Sequence, residues 1–370
     1  MHLPACPARN CFTAVIAKSA HPPDEYNAAD FAADAHTAAQ QIAGRGALPI
    51  VVGGTGFYLQ WLVFGRPGAP AATADAESRA EAAIESFAGD WAAAKKAAQA
   101  LDAVYCDNVL KDNDWFRLRR VFEVYYTCGK PLSSFERPQG KNLALGQIGE
   151  ALKSAPFDFR CFFLYRSRLD IFTDIDRRCE TMLERGFVQE CVELVRAGHL
   201  RLGPSEEPIT VSGGGERIAE RAIGYRQVLD LLWKWKELMR TRPDTMTPEA
   251  QDALVLDFIR EFQSASRQFV KRQLSWFRGD HTFRWVQAED ALAAQQEVVN
   301  MVQLQEDDFL NLYLDPAEAQ RQEHARASES SKHEQNALKR YQSQLTTYSS
   351  QESRAVLASL IHAAVRSLST

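Results

Sequence analysis

The 370-residue sequence lacks several features that would assign it to a familiar class of protein. No apolar run is long enough to cross a bilayer as a helix, so we expect no association with membranes. The net charge of −5 argues against binding of nucleic acid through overall positive charge. The seven cysteines include no Cys-x-x-Cys pair, so they indicate neither a zinc site nor a disulfide framework. We expect reduced thiols and an intracellular protein, in a compartment that the sequence does not specify.

What is present is organised around one glycine-rich stretch. Pro49 precedes the β-branched run Ile50–Val52, which predicts a strand buried on both faces. Gly53–Gly56 follows at once, and its glycines permit positive φ and close backbone approach. An aromatic run, Phe57–Phe64, then predicts a helix. A glycine turn between a parallel strand and a helix suits a phosphate or a nucleotide, and it is equally compatible with a tight turn that binds nothing.

The flanking residues extend the same α/β pattern. Residues 28–43 predict a helix with Asn27 as its N-cap and Gly44 as its stop, so we assign 21–70 to an α/β core. Residues 1–20 form a divergent N-terminus that resembles either a short transit peptide or a frayed strand. Within it, Lys18-Ser19 matches the end of a P-loop without that loop's glycines, which we interpret as coincidence.

Residues 71–155 predict a helical insertion in this core, because alanine and charge dominate and no strand pattern occurs before about Phe159. One helix covers 113–125. Its apolar residues predict an inward face: Phe116, Val121, Val124 and Tyr125. Arg117 and Arg120 share a neighbouring face with Arg119 beside them, which favours a phosphate-binding surface or an ordinary solvated face.

The core resumes at 156–290. Strands are predicted at 159–165 and 281–287, and a long helix at 169–196 is interrupted by Gly186. Gly224 begins another helix, where a glycine indicates close approach by another chain or a ligand. Basic and aromatic residues alternate over 258–278, as suits a nucleic-acid backbone with a stacked base or an ordinary surface helix. Residues 291–370 predict a helical or flexible tail, whose last apolar stripe docks on the core or on a partner.

Six blocks in family order resemble the tRNA dimethylallyltransferase (isopentenyltransferase) family, in particular its plant-type branch. They lie within about residues 21 to 290: Tyr26–Phe31, Pro49–Leu59, Asn113–Val124 with Gly129-Lys130-Pro131, Arg168–Met182, Arg221–Gln227 and Lys271–Arg278. The resemblance implies a P-loop-kinase-like α/β core, which is nucleotide-binding in its family, with a helical tRNA-binding insertion. It also implies transfer of a dimethylallyl group from dimethylallyl diphosphate to N6 of the adenine next to the anticodon in tRNA. Mg²⁺ would accompany the diphosphate, and we expect a monomer whose partner is the tRNA anticodon stem-loop.

The resemblance also assigns residues by position. Thr55 and Arg221 match catalytic positions, with Thr55 near the target adenine and Arg221 on the diphosphate or the tRNA backbone. Substrate- and tRNA-binding positions are matched by Gly53, Gly54, Arg79, Phe116, Arg117, Arg119, Arg120, Gly224, Tyr225, Arg226, Lys271, Arg272, Gln273, Trp276 and Arg278. No metal ligand is assigned.

One departure from the family concerns its N-terminal segment. The family has a P-loop ending in Gly-Lys-Thr or Gly-Lys-Ser, followed by an Asp-Ser segment whose aspartate is the general base. Here the match begins only at about His21, so we expect both to be missing through truncation. The chain would then bind tRNA with impaired transfer. A catalytically inactive tRNA-binding paralogue and a small-molecule enzyme, either a nucleotide kinase or an adenine-nucleotide (cytokinin-type) prenyltransferase, are the alternatives.

Overall fold

A computed structural model describes most of the chain. It covers residues 28–65, 68–135, 143, 145–203, 220, 222–328 and 332–368. The α-helices among these residues are α1 Ala28–Gly44, α2 Gly56–Phe64, α3 Ala74–Glu85, α4 Trp91–Asn108, α5 Trp115–Cys128, α6 Leu145–Lys153, α7 Arg168–Glu184, α8 Phe187–Arg196, α9 Tyr225–Thr241, α10 Pro248–Arg278, α11 Ala291–Gln303, α12 Glu306–Asn311, α13 Pro316–Ser328, α14 Lys332–Lys339 and α15 Gln351–Ser367. The strands are β1 Phe162–Tyr165 and β2 Arg284–Gln287. The predictions for residues 1–20, Asn27 and Arg221 lie outside the described residues.

The two strands form a parallel pair in the register Phe162 to Arg284. The strands predicted at 159–165 and 281–287 are both present, and both are shorter than the sequence pattern suggests. The predicted strand at Ile50–Val52 is wrong, because this segment is irregular and Val52 is 83% exposed. A β-branched run becomes a strand only where a neighbour completes its hydrogen bonds. Among the described residues, only β1 and β2 pair in a sheet.

Two compact units make up the chain. The first holds the described residues of 28–64, 143–203 and 220–368, and the second holds residue 65 with 68–135. The predicted domain boundaries, with 71–155 as a tRNA-binding insertion, stay a prediction, because compactness does not say which part binds RNA.

The first unit is built along α10, a helix of 31 residues and therefore about 46 Å long. Thr247 caps its first turn by accepting a hydrogen bond from the amide of Ala250. One apolar cluster surrounds its N-terminal half, where Phe262 and Trp235 of α9 are buried. A second surrounds its C-terminal end, where Phe277 stacks on Phe163 of β1 at 4.6 Å. The helix thereby links the sheet to the helical end of the unit.

The C-terminal tail is helical and belongs to the first unit. The apolar stripe of α15 packs on the core, with Leu357, Ile361 and Val365 all buried in the cluster around α9 and α10. Arg354 anchors its first turn by an ion pair of 2.7 Å with Asp252 of α10. The buried members of the predicted stripe therefore dock on the core, whereas Val356 and Leu360 of the same stripe are exposed.

The second unit is a helical cluster around the predicted arginine-bearing helix. Asp114 caps α5 and Gly129, with φ 70°, ends it. Leu118, Val121 and Phe122 pack against α3 and α4. Phe116 is 82% exposed, so the prediction that it faces inward is wrong. It lies two residues before Leu118, which places it about 200° around the helix from the buried face.

Candidate nucleic-acid interface

The predicted glycine turn leads directly into α2. The carbonyl oxygen of Thr55 accepts from the amides of Tyr58 and Leu59 at 2.9 and 3.2 Å, so Thr55 is the residue from which the helix begins. Gly53 and Thr55 are exposed, whereas Gly56 is buried. Thr55 therefore presents its side chain to solvent at the start of a helix.

The glycines of this turn are explained by close approach rather than by unusual backbone angles. None of Gly53, Gly54 and Gly56 has the positive φ that the sequence suggests. A Cβ on Gly54 would lie 1.9 Å from Nε2 of Gln273, and one on Gly56 would lie 2.1 Å from Nε1 of Trp276. A Cβ on Gly53 would meet nothing within 4 Å. Gly54 and Gly56 thus make room for side chains of α10, whereas the space beside Gly53 is empty.

Gln273 and Trp276 belong to the basic block predicted to bind tRNA. Gln273 donates from Nε2 to the carbonyl oxygen of Gly54 at 2.9 Å, across 219 residues of sequence. Two blocks that the sequence identifies independently therefore meet in the first unit. Their contact joins the turn that carries Thr55 to the C-terminal end of α10.

The end of α10 separates basic from apolar residues by face. Leu274 and Phe277 are buried, whereas Lys271 and Arg272 are exposed. Arg278 is half-buried at the last turn of the helix. An exposed basic face of this kind, adjoining a turn that presents Thr55, can bind a phosphate backbone.

Arg267 belongs to the same sequence pattern but not to the exposed face. Its guanidinium forms an ion pair with Asp176 of α7, whose side chain is fully buried. It also donates to Oγ of Ser343 at 2.9 Å. Removing this arginine would leave the buried charge of Asp176 without its partner, so Arg267 is held inside the fold and is not available to a phosphate.

The block Arg221–Arg226 is largely explained by packing. Gly224 has φ 100°, and a Cβ there would lie 2.8 Å from Cζ of Phe187 and 3.2 Å from the ring of Phe262. A close approach does occur at this glycine, but the neighbour is the protein's own core and not the other chain or ligand that the sequence suggests. Tyr225 stacks on Phe187 and donates from its hydroxyl to Glu190 at 2.5 Å, and burial with this bond raises the pKa of Tyr225.

Arg226 is the exposed member of this block. Its guanidinium lies 3.9 Å from Asp230, one turn further along α9, and both side chains are more than half exposed. Such a pair contributes little to stability, and the arginine can exchange it for another anion.

In the second unit, the three predicted arginines of α5 lie near acidic partners. Arg117 pairs with Asp114, while Arg119 and Arg120 share the carboxylate of Glu123 at 2.8 and 3.2 Å. Arg120 also donates to the carbonyl oxygen of Pro70. Sequence reasoning missed Glu123, although its spacing of three and four residues from the two arginines is the spacing of a helical ion pair. The shared carboxylate fixes two guanidinium groups side by side.

Aromatic rings accompany these arginines. Phe116 stands exposed beside Arg117, where its ring can receive a stacked base. Arg79 of α3 lies 4.4 Å above the ring of Tyr126 on α5 and 3.5 Å from Asp75. The predicted residues of the second unit thus lie on α3 and α5, which pack on each other.

Metal-binding groups and membrane-spanning helices are both absent from the described part of the chain. There, His, Cys, Asp and Glu side chains form no group of three or more that could hold a metal ion. No described helix is long and apolar enough to cross a membrane. The described cysteines are free thiols, and Cys128 is exposed.

Comparison with known proteins identifies the family. The family model described as IPP transferase matches residues 16–280. The chain therefore belongs to the IPP transferase family, and the resemblance inferred from the six blocks is confirmed.

Curated relatives agree with this assignment. The chain is 32% identical over 294 residues to tRNA dimethylallyltransferase 9 of Arabidopsis thaliana, which covers 74% of this chain and 58% of the relative. It is 35% identical over 274 residues to tRNA dimethylallyltransferase of Halorhodospira halophila, which covers 74% of both. The chain thus spans less than two thirds of the length of the Arabidopsis protein. It likewise spans 65% of the relative from Protochlamydia amoebophila, at 31% identity.

A solved structure supports the fold. The chain resembles a eukaryotic dimethylallyltransferase described as acting on tRNA, with a TM-score of 0.50 and 22% identity. The likeness covers 78% of this chain and 67% of the other. The predicted fold class, an α/β core with additional helices, is confirmed by this likeness.

Proposed function

We propose that the chain acts in tRNA prenylation, the transfer of a dimethylallyl group from dimethylallyl diphosphate to N6 of the adenine next to the anticodon. Membership of the IPP transferase family supports this reaction class. The observation that carries the proposal is the hydrogen bond between Gln273 and Gly54, because it joins the glycine turn to the basic end of α10.

The glycine turn is the surface on which we place the target adenine. A base inside a stacked loop cannot present its exocyclic amine, so it has to leave the stack to react. Thr55 is exposed at the start of α2 and lies next to the glycine held by Gln273. A turn fixed from behind by Gln273 and Trp276 costs little reorganisation when the base arrives.

Basic residues on both units are the proposed contacts for the RNA backbone. Lys271 and Arg272 are exposed on α10, and Arg226 is exposed on α9. Arg117, beside the exposed ring of Phe116, offers a cation and a stacking platform together. Local clusters of this kind explain how a chain of net charge −5 can bind RNA.

We assign none of the described residues to binding of the dimethylallyl diphosphate. The transition state is cation-like at the allylic carbon, so charge stabilisation and positioning supply most of the rate. Arg221, proposed to hold the diphosphate or the RNA backbone, lies outside the described residues. Mg²⁺ would neutralise the departing diphosphate, and the described side chains include no group of three candidate ligands for it.

Prenyl transfer to anticodon stem-loop RNA tests the proposal. Labelled dimethylallyl diphosphate is incubated with the chain and either the stem-loop or AMP, and a second protein carries an added family P-loop segment. Incorporation into the stem-loop but not into AMP supports tRNA prenylation. Incorporation into AMP alone supports the nucleotide-directed alternative. Tight binding of the stem-loop with no transfer by either protein supports an RNA-binding paralogue.

A further inference from the structure

A short segment of the tail is joined to the face of α10 that carries Lys271. Residues 341–344 follow α14, beyond the span that the family model matches. The hydroxyl of Tyr341 donates to Oδ2 of Asp176 at 2.9 Å, and the amide of Gln344 donates to the same oxygen at 2.9 Å. Asp176 is fully buried on α7, so the segment is held by a carboxylate inside the fold.

The same carboxylate binds α10. Arg267 forms an ion pair with Oδ1 of Asp176 and donates to Oγ of Ser343 at 2.9 Å. Its guanidinium also lies 5.2 Å from the ring centre of Tyr341. On the inner side, Gln263 donates to the carbonyl oxygen of Gln344 at 2.8 Å. The tail segment, α7 and α10 therefore share one buried polar network.

An aromatic ring connects this network to Lys271. The ring of Tyr341 meets Phe172 of α7 edge to face, with ring centres 5.4 Å apart. The ammonium nitrogen of Lys271 lies 5.9 Å from the ring centre of Phe172. On α10, Lys271 lies about one turn after Arg267. On α7, Phe172 lies about one turn before Asp176. Phe172 is thus fixed by Tyr341 on one side and faces the lysine on another.

We propose that Tyr341 is a positioning residue for RNA binding, which acts by fixing Phe172 beneath the ammonium group of Lys271. The inference rests on the proposed function, because it takes Lys271 as a contact to the RNA backbone. A lysine side chain is flexible, and a cation held over an aromatic ring loses less freedom when a phosphate arrives. The tail, which the family model does not match, would in this way tune a contact that belongs to the family.

A double-mutant cycle with stem-loop RNA tests this inference. Tyr341→Leu removes the aromatic ring, and Lys271→Met removes the cation while retaining most of its length. We expect Tyr341→Leu to weaken stem-loop affinity about two- to fivefold when Lys271 is present. We expect no further loss in the Lys271→Met background, because the effect passes through that lysine. Tyr341→Phe keeps the ring and should restore affinity close to that of the unmodified chain.

Arg354→Met is the matched control for loosening of the tail, since it removes the ion pair with Asp252 without touching Phe172. It should lower the melting temperature and leave the affinity and its salt dependence unchanged. An equal loss from Tyr341→Leu in both backgrounds, or no loss in either, overturns the positioning role. Absence of stem-loop binding by the unmodified chain overturns the proposed function itself, and the inference with it.

Discussion

Gln273 Nε2 donates a hydrogen bond of 2.9 Å to the carbonyl oxygen of Gly54, and the two residues are 219 positions apart. The bond connects a turn notable in the sequence for its glycines with a helix notable for its basic and aromatic residues. A second contact joins the same turn and helix, because Trp276 fills the space over Gly56. The consequences of this arrangement can be measured at several positions.

Gly56→Ala tests the packing between α2 and α10. Its Cβ would lie 2.1 Å from Nε1 of Trp276, and the indole ring cannot move as freely as a chain end. We expect the free energy of unfolding to fall by about 1 to 3 kcal/mol. Gly53→Ala is the matched control in the same turn, because its Cβ would meet nothing within 4 Å. Equal stability of the two variants, measured by thermal unfolding, contradicts the packing described.

Simultaneous Arg117→Ala and Arg120→Ala test the backbone contacts of the second unit. We expect weaker binding of anticodon stem-loop RNA and a flatter dependence of log affinity on log salt. The slope should fall by about 0.7 to 0.9 for each phosphate that the protein no longer neutralises. Arg240→Ala is a suitable control, since Arg240 pairs with Glu237 at the same helical spacing that Arg117 has from Asp114. An unchanged slope in the double variant removes the RNA-binding interpretation of α5.

Phe116→Ala separates stacking from charge. The ring is 82% exposed, so its loss should change the free energy of unfolding by less than about 0.5 kcal/mol. Loss of one stacked base should weaken stem-loop binding by about fivefold or more, with no change of the salt slope. Leu292→Ala, at a side chain 77% exposed in α11, controls for loss of exposed apolar surface. Equal affinity of the Phe116 variant and the unmodified chain contradicts a stacking role.

Buried thiols predict loss of stability at alkaline pH. Burial raises the pKa of the Cys191 thiol to about 12, so the folded state keeps a proton that the unfolded state releases above about 8.5. The unfolded state then binds fewer protons, and stability falls as pH rises through this window. Cys191→Ala should flatten that fall, whereas Cys128→Ala, at an exposed thiol, should not. Parallel pH profiles for Cys191→Ala and the unmodified chain would be inconsistent with this cause.

Much of the helical structure can be predicted from local sequence, because helix stops and periodicity are local signals. Gly129 ends α5, and Gly186, with φ 91°, separates α7 from α8, as the sequence indicates. The orientation of Phe116 is harder to predict because several apolar residues compete for the inward face of one helix. Leu118, which completes the buried set with Val121, decides that orientation.

Other features depend on partners distant in sequence. Ile50–Val52 has strand composition, yet composition does not supply a neighbouring strand. The glycine turn predicts close approach correctly, but only the fold identifies Gln273 and Trp276 as the approaching groups. Asp176 gives no signal in the sequence, since a buried acid is defined by the arginine that packs against it.

The turn at Gly53–Gly56 and the end of α10 are together proposed to face the target adenine. Photocrosslinking measures this placement, with stem-loop RNA that carries a photoreactive adenine at the position next to the anticodon. We expect crosslinks in peptides that contain Thr55 or residues 271–278, and we expect those crosslinks to disappear when unmodified stem-loop competes. Crosslinks confined to other peptides of the chain would contradict the placement of the adenine at this turn.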